Sequence, residues 1–282
     1  MSRAPLKLAE IATARPRSRD GSAQGLLLVL LGLFLWRQPP VKTAVLIAAL
    51  EALGLTENAA RKAIHRLTQD GIAAATREGR EASLSIAPAG EALFEEGNAQ
   101  VFGFDGERAD WDGRWLVLSV SVPESQRMNR HYLQSRLAWL GMGSPVPGIW
   151  ISPHAGAPIH PVIEKLGLGT LASSWVGGFG PVGDEAAMVR QAWDIDGLAA
   201  LYAEFIARFG KLAPVGDAER FVAYVQLVQA WRRFPFIDPK LPARFLPDPW
   251  IGRDAAALMR DRRGAWGPAA QRYWDALRRG GA

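Results

Sequence analysis

TENAARKAIHRLTQDG, residues 56–71, is the stretch whose reading decides this chain. On a wheel of about 3.6 residues per turn, Ala60, Ala63, Ile64 and Leu67 gather on one side. Asn58, Arg61, Lys62, His65, Arg66 and Gln69 gather on the other. The spacing predicts a helix with an apolar inner face and a cationic outer one. Thr56 is placed to cap it; Ala59 stands three residues on, so the cap lacks the reciprocal Glu of a capping box. Upstream, Val45, Ala48, Ala49 and Ala52 repeat at helical spacing within Val41–Leu53, and Gly54 stops that helix as a residue free to take positive φ.

Downstream the period changes. Ile72–Thr76 reads as a strand, Arg77-Glu78-Gly79-Arg80 as a tight turn, and Ala82–Ala87 as a returning strand with Leu84 and Ile86 inward. Pro88–Gly97 then reads as a closing helix. A helix, a glycine turn, a second helix and a hairpin form the layout of a winged helix-turn-helix, whose recognition helix enters the major groove. On that geometry Thr56, Asn58, Arg61 and Lys62 lie nearest base edges, His65 and Arg66 lie toward the backbone, and Arg77 and Arg80 tip the wing. Residues 56–80 carry five basic side chains against three acidic ones. Any surface helix can carry Arg and Lys opposite an apolar stripe, but cap, glycine turn, basic face and arginine-tipped wing occur here in the required order. Double-stranded DNA is the expected partner.

Composition supports a folded, DNA-tolerant protein. The 282 residues are 49% hydrophobic and 22% charged, with 33 Lys and Arg against 28 Asp and Glu, net charge +5. That is enough apolar material for more than one core. The absence of cysteine excludes disulfides, Cys-ligated zinc and thiol catalysis, and suits a reducing cytoplasm. Leu26–Trp36 is an apolar run of eleven residues behind Arg15, Arg17 and Arg19. Spanning a bilayer takes roughly 20 such residues, and Arg37-Gln38-Pro39-Pro40 follows without a small-residue cleavage pattern. The run is expected to be a buried core helix, with residues 1–21 as a basic arm and no membrane association.

Residues 22–97 thus form the winged-helix domain and 98–112 a polar linker. In 113–185, the strand Trp115–Val122, a helix from Pro123 to Leu140, an extended Val146–Ser152, a short helix near Ile159–Leu166 and a strand near Ser173–Val176 predict a small ferredoxin-like α/β sandwich. Residues 186–282 read as helical. They are interrupted by FIDPKLPARFLPDPW, 236–250, whose prolines forbid a helix while its apolar residues argue for a fixed strap. The fold class is α+β and multidomain, with no internal repeat.

Three long stretches also carry a family resemblance. NAARKAIHRLTQDGI (58–72) with REGREASLSI (77–86), WDGRWLVLSVSVPESQR (111–127) with RLAWLGMGSPVPGIWISP (136–153), and AWRRFPFIDPKLPARFLPDPW (230–250) resemble the PaaX-type transcriptional regulators of bacterial aromatic-acid catabolism. The resemblance implies a repressor with a winged-helix N-terminal domain, a Cas2-like ferredoxin middle domain and a helical C-terminal domain. It also implies release from the operator by an acyl-CoA such as phenylacetyl-CoA.

The rival readings are thin. A Cas2-like nuclease needs an acidic residue at the end of the first strand to hold a divalent ion, and Ser121 occupies that place. His131, His154 and His160 lack metal-ligand spacing. Ser125 has no nucleophile elbow, and GGFGPVG (177–183) lacks the lysine of a phosphate loop. No metal, cofactor or catalytic residue is expected. For the effector, the helix start after Pro123 offers backbone N–H groups, with Arg127 and Arg130 for phosphates and Trp139, Trp150 or Trp175 for an apolar acyl group. A non-catalytic scaffold is the third reading. Trp266, Tyr273, Trp274 and Leu277 of the last helix are expected at a dimer surface, because a two-fold operator calls for a homodimer.

Overall fold

The computed structural model describes residues 22–79, 81–108 and 110–280. The expected basic arm, 1–21, and the wing-tip Arg80 lie outside the described residues. The chain divides into two compact units. Among the described residues, the first comprises those up to Asp105, Phe205–Arg233 and those from Ala256 on; the second comprises Gly106–Glu204 and Phe234–Ala255. The C-terminal residues, expected as one helical domain over 186–282, are therefore shared between the units.

The first unit opens with α1 (Ala23–Leu30), capped by Ser22, whose hydroxyl accepts from Gly25 N–H, and continued by a wider π turn over Leu31–Leu35. Leu26 to Leu31, Phe34 and Leu35 are buried. A helix apolar on all sides is a helix packed on all sides. Here α3 (Glu57–Gln69) covers one flank and α9 (Gly216–Trp231) another. The Phe34 ring meets Phe221 at 5.5 Å and stacks on Trp274 of α11 (Ile251–Gly280) at 5.2 Å. The core-helix expectation holds. Of the residues expected at a dimer surface, Trp266 and Trp274 are instead buried within their own unit, where they complete this core, and Tyr273 and Leu277 are half-buried.

Helix α2 (Thr43–Ala52) begins two residues later than the periodicity suggests. Val41 and Lys42 instead form β1, pairing antiparallel with Leu84 and Ser83. Pro39-Pro40 hold the chain extended as it arrives, so it joins the sheet before it coils. The wing is therefore three-stranded, in the order β1-β3-β2, with β2 at Ala73–Glu78 and β3 at Glu81–Ile86. Helix α4 (Pro88–Gly103) runs six residues into the expected linker. Val101 and Phe104 are buried, the Val101 carbonyl accepts from the Trp231 indole at 3.0 Å, and Phe104 tilts onto the Trp231 ring. A landing site on α9 turns a polar-looking stretch into helix.

The second unit is built on a four-stranded antiparallel sheet in the order β5-β6-β4-β7. Its strands are β4 (Arg114–Val120), β5 (Gly143–Val146), β6 (Ile149–Ser152) and β7 (Ala172–Gly178). With α5 (Arg127–Trp139) between β4 and β5 and α6 (His160–Lys165) between β6 and β7, this is the expected ferredoxin-like topology. Leu116, Leu118 and Val120 alternate toward a core completed by Leu133, Leu137, Ile159 and Ile163. Alternation sends Trp115 to the opposite face, against Trp111, Trp193 and Phe245, where its indole donates to Glu185 of α7 (Glu185–Ala192) at 2.8 Å. Next comes α8 (Ile195–Gly210), whose first ten residues belong to this unit. Helix α10 (Phe234–Ile237) reaches two residues into the proline-rich stretch expected to be free of helix, and the rest of that stretch buries Asp238, Leu241 and Trp250, as a fixed strap must.

Candidate nucleic-acid interface

The exposed face of α3 is set by what lies under it. Ala60, Ala63, Ile64 and Leu67 are buried against α1 and α2, the partition expected from the wheel. The Thr56 hydroxyl accepts from Ala59 N–H at 3.3 Å, making the predicted cap, and Gly54 takes φ 86° in the turn before it. Alanines at two of the four inner positions let the helix lie close on its neighbours. Thr56, Asn58, Arg61, Lys62, His65 and Arg66 are all exposed, and so is Arg77 on β2. The structure thus places seven of the eight predicted DNA-facing residues in solvent, in the first unit.

Their charges are not equally available. The Arg61 guanidinium pairs with Glu57, one turn earlier, at 2.6 Å. Arg77 folds back, its Nε donating to the Gly79 carbonyl at 3.2 Å; Gly79, with φ 61°, makes the wing turn. Sequence reasoning passed over Lys42, which the added strand β1 brings to the wing, where it pairs with Glu81 at 2.9 Å. Its only sequence signal was its position after Pro39-Pro40.

The residues expected to hold an effector are not brought together. Arg127 is exposed at the start of α5. Arg130 is turned inward: one amino group donates to the Val122 carbonyl at 3.0 Å and to Glu124 at 2.8 Å, stitching the turn rather than facing a ligand. Trp150 belongs to the helix-side core, and Trp139 stacks on Phe236. Trp175 is directly opposite Val117 in the β4–β7 ladder, whereas Trp150 is opposite Leu118 in the β4–β6 ladder. Neighbours along β4 point to opposite faces, so these two tryptophans cannot close one pocket.

At the strand end where a nuclease would hold its metal, Ser121 donates its N–H to the Leu171 carbonyl. The nearby carboxylate of Glu124 is engaged by Arg130. Among the described residues, no helix is long and apolar enough to cross a membrane.

Three family models match the chain in order: PaaX-like protein over residues 22–90, the PaaX protein central Cas2-like domain over 108–189, and the PaaX-like protein C-terminal domain over 193–276. The chain belongs to the PaaX-like family. The PaaX-like match at the N-terminus spans α1 through the wing, so it contains the whole of the exposed basic face. Among solved structures, the uncharacterized protein Rv0674 from Mycobacterium tuberculosis superposes with a TM-score of 0.63 at 19% identity, over 92% of this chain and 99% of that one. At that identity the likeness is one of fold. No curated protein matches the chain.

Proposed function

We propose that this PaaX-like protein is a cytoplasmic, DNA-binding transcriptional regulator, a repressor of a catabolic operon of the aromatic-acid type. The observation that carries the reading is the outer face of α3, which presents Asn58, Lys62, His65 and Arg66 to solvent from a capped helix set on its apolar side. A helix docked in the major groove reads bases from its first turns, while later residues and the wing meet phosphates. The protein acts as a homodimer, since a two-fold operator requires two such helices about one DNA turn, roughly 34–36 Å, apart. Family membership supports an acyl-CoA effector that relieves repression.

Gel-shift titration against the DNA upstream of the protein's own gene tests the reading. Specific retardation that weakens steeply with salt is expected, because phosphate contacts release counterions. Lys62→Ala with Arg66→Ala should abolish it while leaving the fold intact by circular dichroism. Retention of full affinity by that double variant would remove α3 as the DNA-reading element. Phenylacetyl-CoA added to the retarded complex should release the DNA.

A further inference from the structure

The first unit contains a cleft that the DNA-binding face does not use. It has a volume of about 440 Å³ and lies among the end of α2, the 211–215 loop, α9 and α11. We infer that this cleft binds a small, uncharged, mainly apolar molecule built on at least one ring. The inference goes beyond the DNA-binding reading and stands whether or not that reading holds.

Size and lining define the ligand. Cavities that enclose drug-sized ligands run from about 300 to 1,000 Å³, and one of about 150 Å³ already holds benzene, so this one takes a ring with room for substituents. Ala52, Leu212, Pro214 and Val222 give apolar walls, and Tyr273 adds an aromatic one. The polar side chains among the lining residues are those of Glu219, Gln226 and Tyr273, and none of the lining residues is Lys, Arg or His. Glu219 is held in place by the Val215 N–H at 2.8 Å. Two guanidiniums on the adjoining helices are engaged: Arg272 grips Asp217 with two bonds, at 3.0 and 2.6 Å, and Arg220 donates to the Pro214 carbonyl. A carboxylate or a phosphate here would meet Glu219 with no cation among the lining residues to compensate it. The cleft is therefore not a seat for the phosphates of a coenzyme.

A second observation points the same way. Among the described residues of the first unit, the large apolar side chains left exposed are Leu212 and Val215, and both sit on the loop that rims this cleft. Apolar groups concentrated in solvent beside a concave apolar wall are what a bound ligand covers.

The test uses the full chain and fluorine NMR titration with 4-fluorobenzyl alcohol and, in parallel, 4-fluorobenzoate. The neutral probe should bind saturably and about tenfold tighter than the anion, the difference set by Glu219. Ala213→Trp, which fills the cleft from the loop, and Ala218→Phe, which fills it from an exposed helix position, should each weaken the neutral probe about tenfold. Glu219→Gln should bring benzoate to within about twofold of the alcohol. Absence of saturable binding by the neutral probe, unchanged binding in both filled variants, or tighter binding of benzoate to the wild type would each overturn the inference.

Discussion

The Arg108 guanidinium stands 2.7 Å from the Asp238 carboxylate, with 3% and 1% of the two side chains reaching solvent. Both carboxylate oxygens are served: the Tyr202 hydroxyl donates to the one Arg108 holds and the Lys240 N–H to the other, each at 2.7 Å. The Tyr202 phenol is pushed well above its ordinary range, first by burial and then by the neighbouring carboxylate, so it stays a donor at any accessible pH. Removing one partner of such a pair leaves a buried charge uncompensated. Asp238→Ala is expected to destabilise the second unit by about 3–5 kcal/mol. Tyr202→Phe, which deletes one bond and keeps the ring, should cost about 1–2 kcal/mol. Urea unfolding followed by tryptophan fluorescence measures both.

Gly90 and Gly97 lie on the same helix, α4, and should respond oppositely to alanine. A Cβ on Gly90 would come 2.2 Å from the Ile72 carbonyl oxygen, a backbone atom at the mouth of the wing, whereas a Cβ on Gly97 meets nothing within 4 Å. Gly90→Ala should lower stability by about 1–3 kcal/mol through forced separation of α4 from the strand. Gly97→Ala should raise it by up to about 1 kcal/mol through helix propensity. Thermal melts of the two variants are the check, and equal shifts would contradict the close approach.

If α3 reads DNA as proposed, Glu57 competes with the duplex for Arg61. In the free protein that pair is exposed, so it is worth only a few tenths of a kcal/mol, roughly 0.3–0.5 for an i,i+4 pair. Glu57→Gln releases Arg61 and removes a negative charge from the face that meets phosphate. Operator affinity should rise about two- to threefold at low salt. By contrast, Arg66→Ala should flatten the plot of log affinity against log salt by about one unit, the signature of one lost phosphate contact.

Asp217 should carry a small acid-dependent contribution to stability. Its carboxyl is held below the usual Asp range by the Arg272 hydrogen bonds, with Coulomb attraction from Arg272 and Arg220 adding to them. The unfolded chain takes up this proton more readily than the folded one. The contribution is therefore complete above the unfolded pKa, near 3.8, and is lost as pH falls through the lower folded value. Carbon-detected NMR titration should place the Asp217 midpoint below that of an unperturbed Asp, and Arg272→Met should move it upward. An unchanged midpoint in the variant would remove Arg272 as the cause.

Local features were legible wherever one face of one element settled the matter. The Thr56 cap, the Gly54 turn and the burial of Ala60, Ala63, Ile64 and Leu67 follow from residues close together in the chain, and the alternation in Trp115–Val120 needs only neighbours two apart. Features that depend on distant partners were not legible. Helix α4 continues through 98–103 because Trp231 receives Val101 and Phe104, more than a hundred residues on. Trp150 and Trp175 were equal candidates for one apolar pocket in the sequence, and only strand pairing puts them on opposite faces of one sheet.

By itself, then, the order of residues determined the kinds of element, the caps, and which side of the third helix carries charge, since these depend on periodicity and on hydrogen bonds a few residues long. Tertiary structure decided what Leu26–Trp36 is buried against, which arginines are free to act, and where a cleft opens. Arg61 and Lys62 are adjacent cations in the sequence, and Arg130 carries the same charge. Only packing in three dimensions spends Arg130 on Val122 and Glu124, because whether a charge faces water or a partner depends on which surfaces folding brings within hydrogen-bond reach.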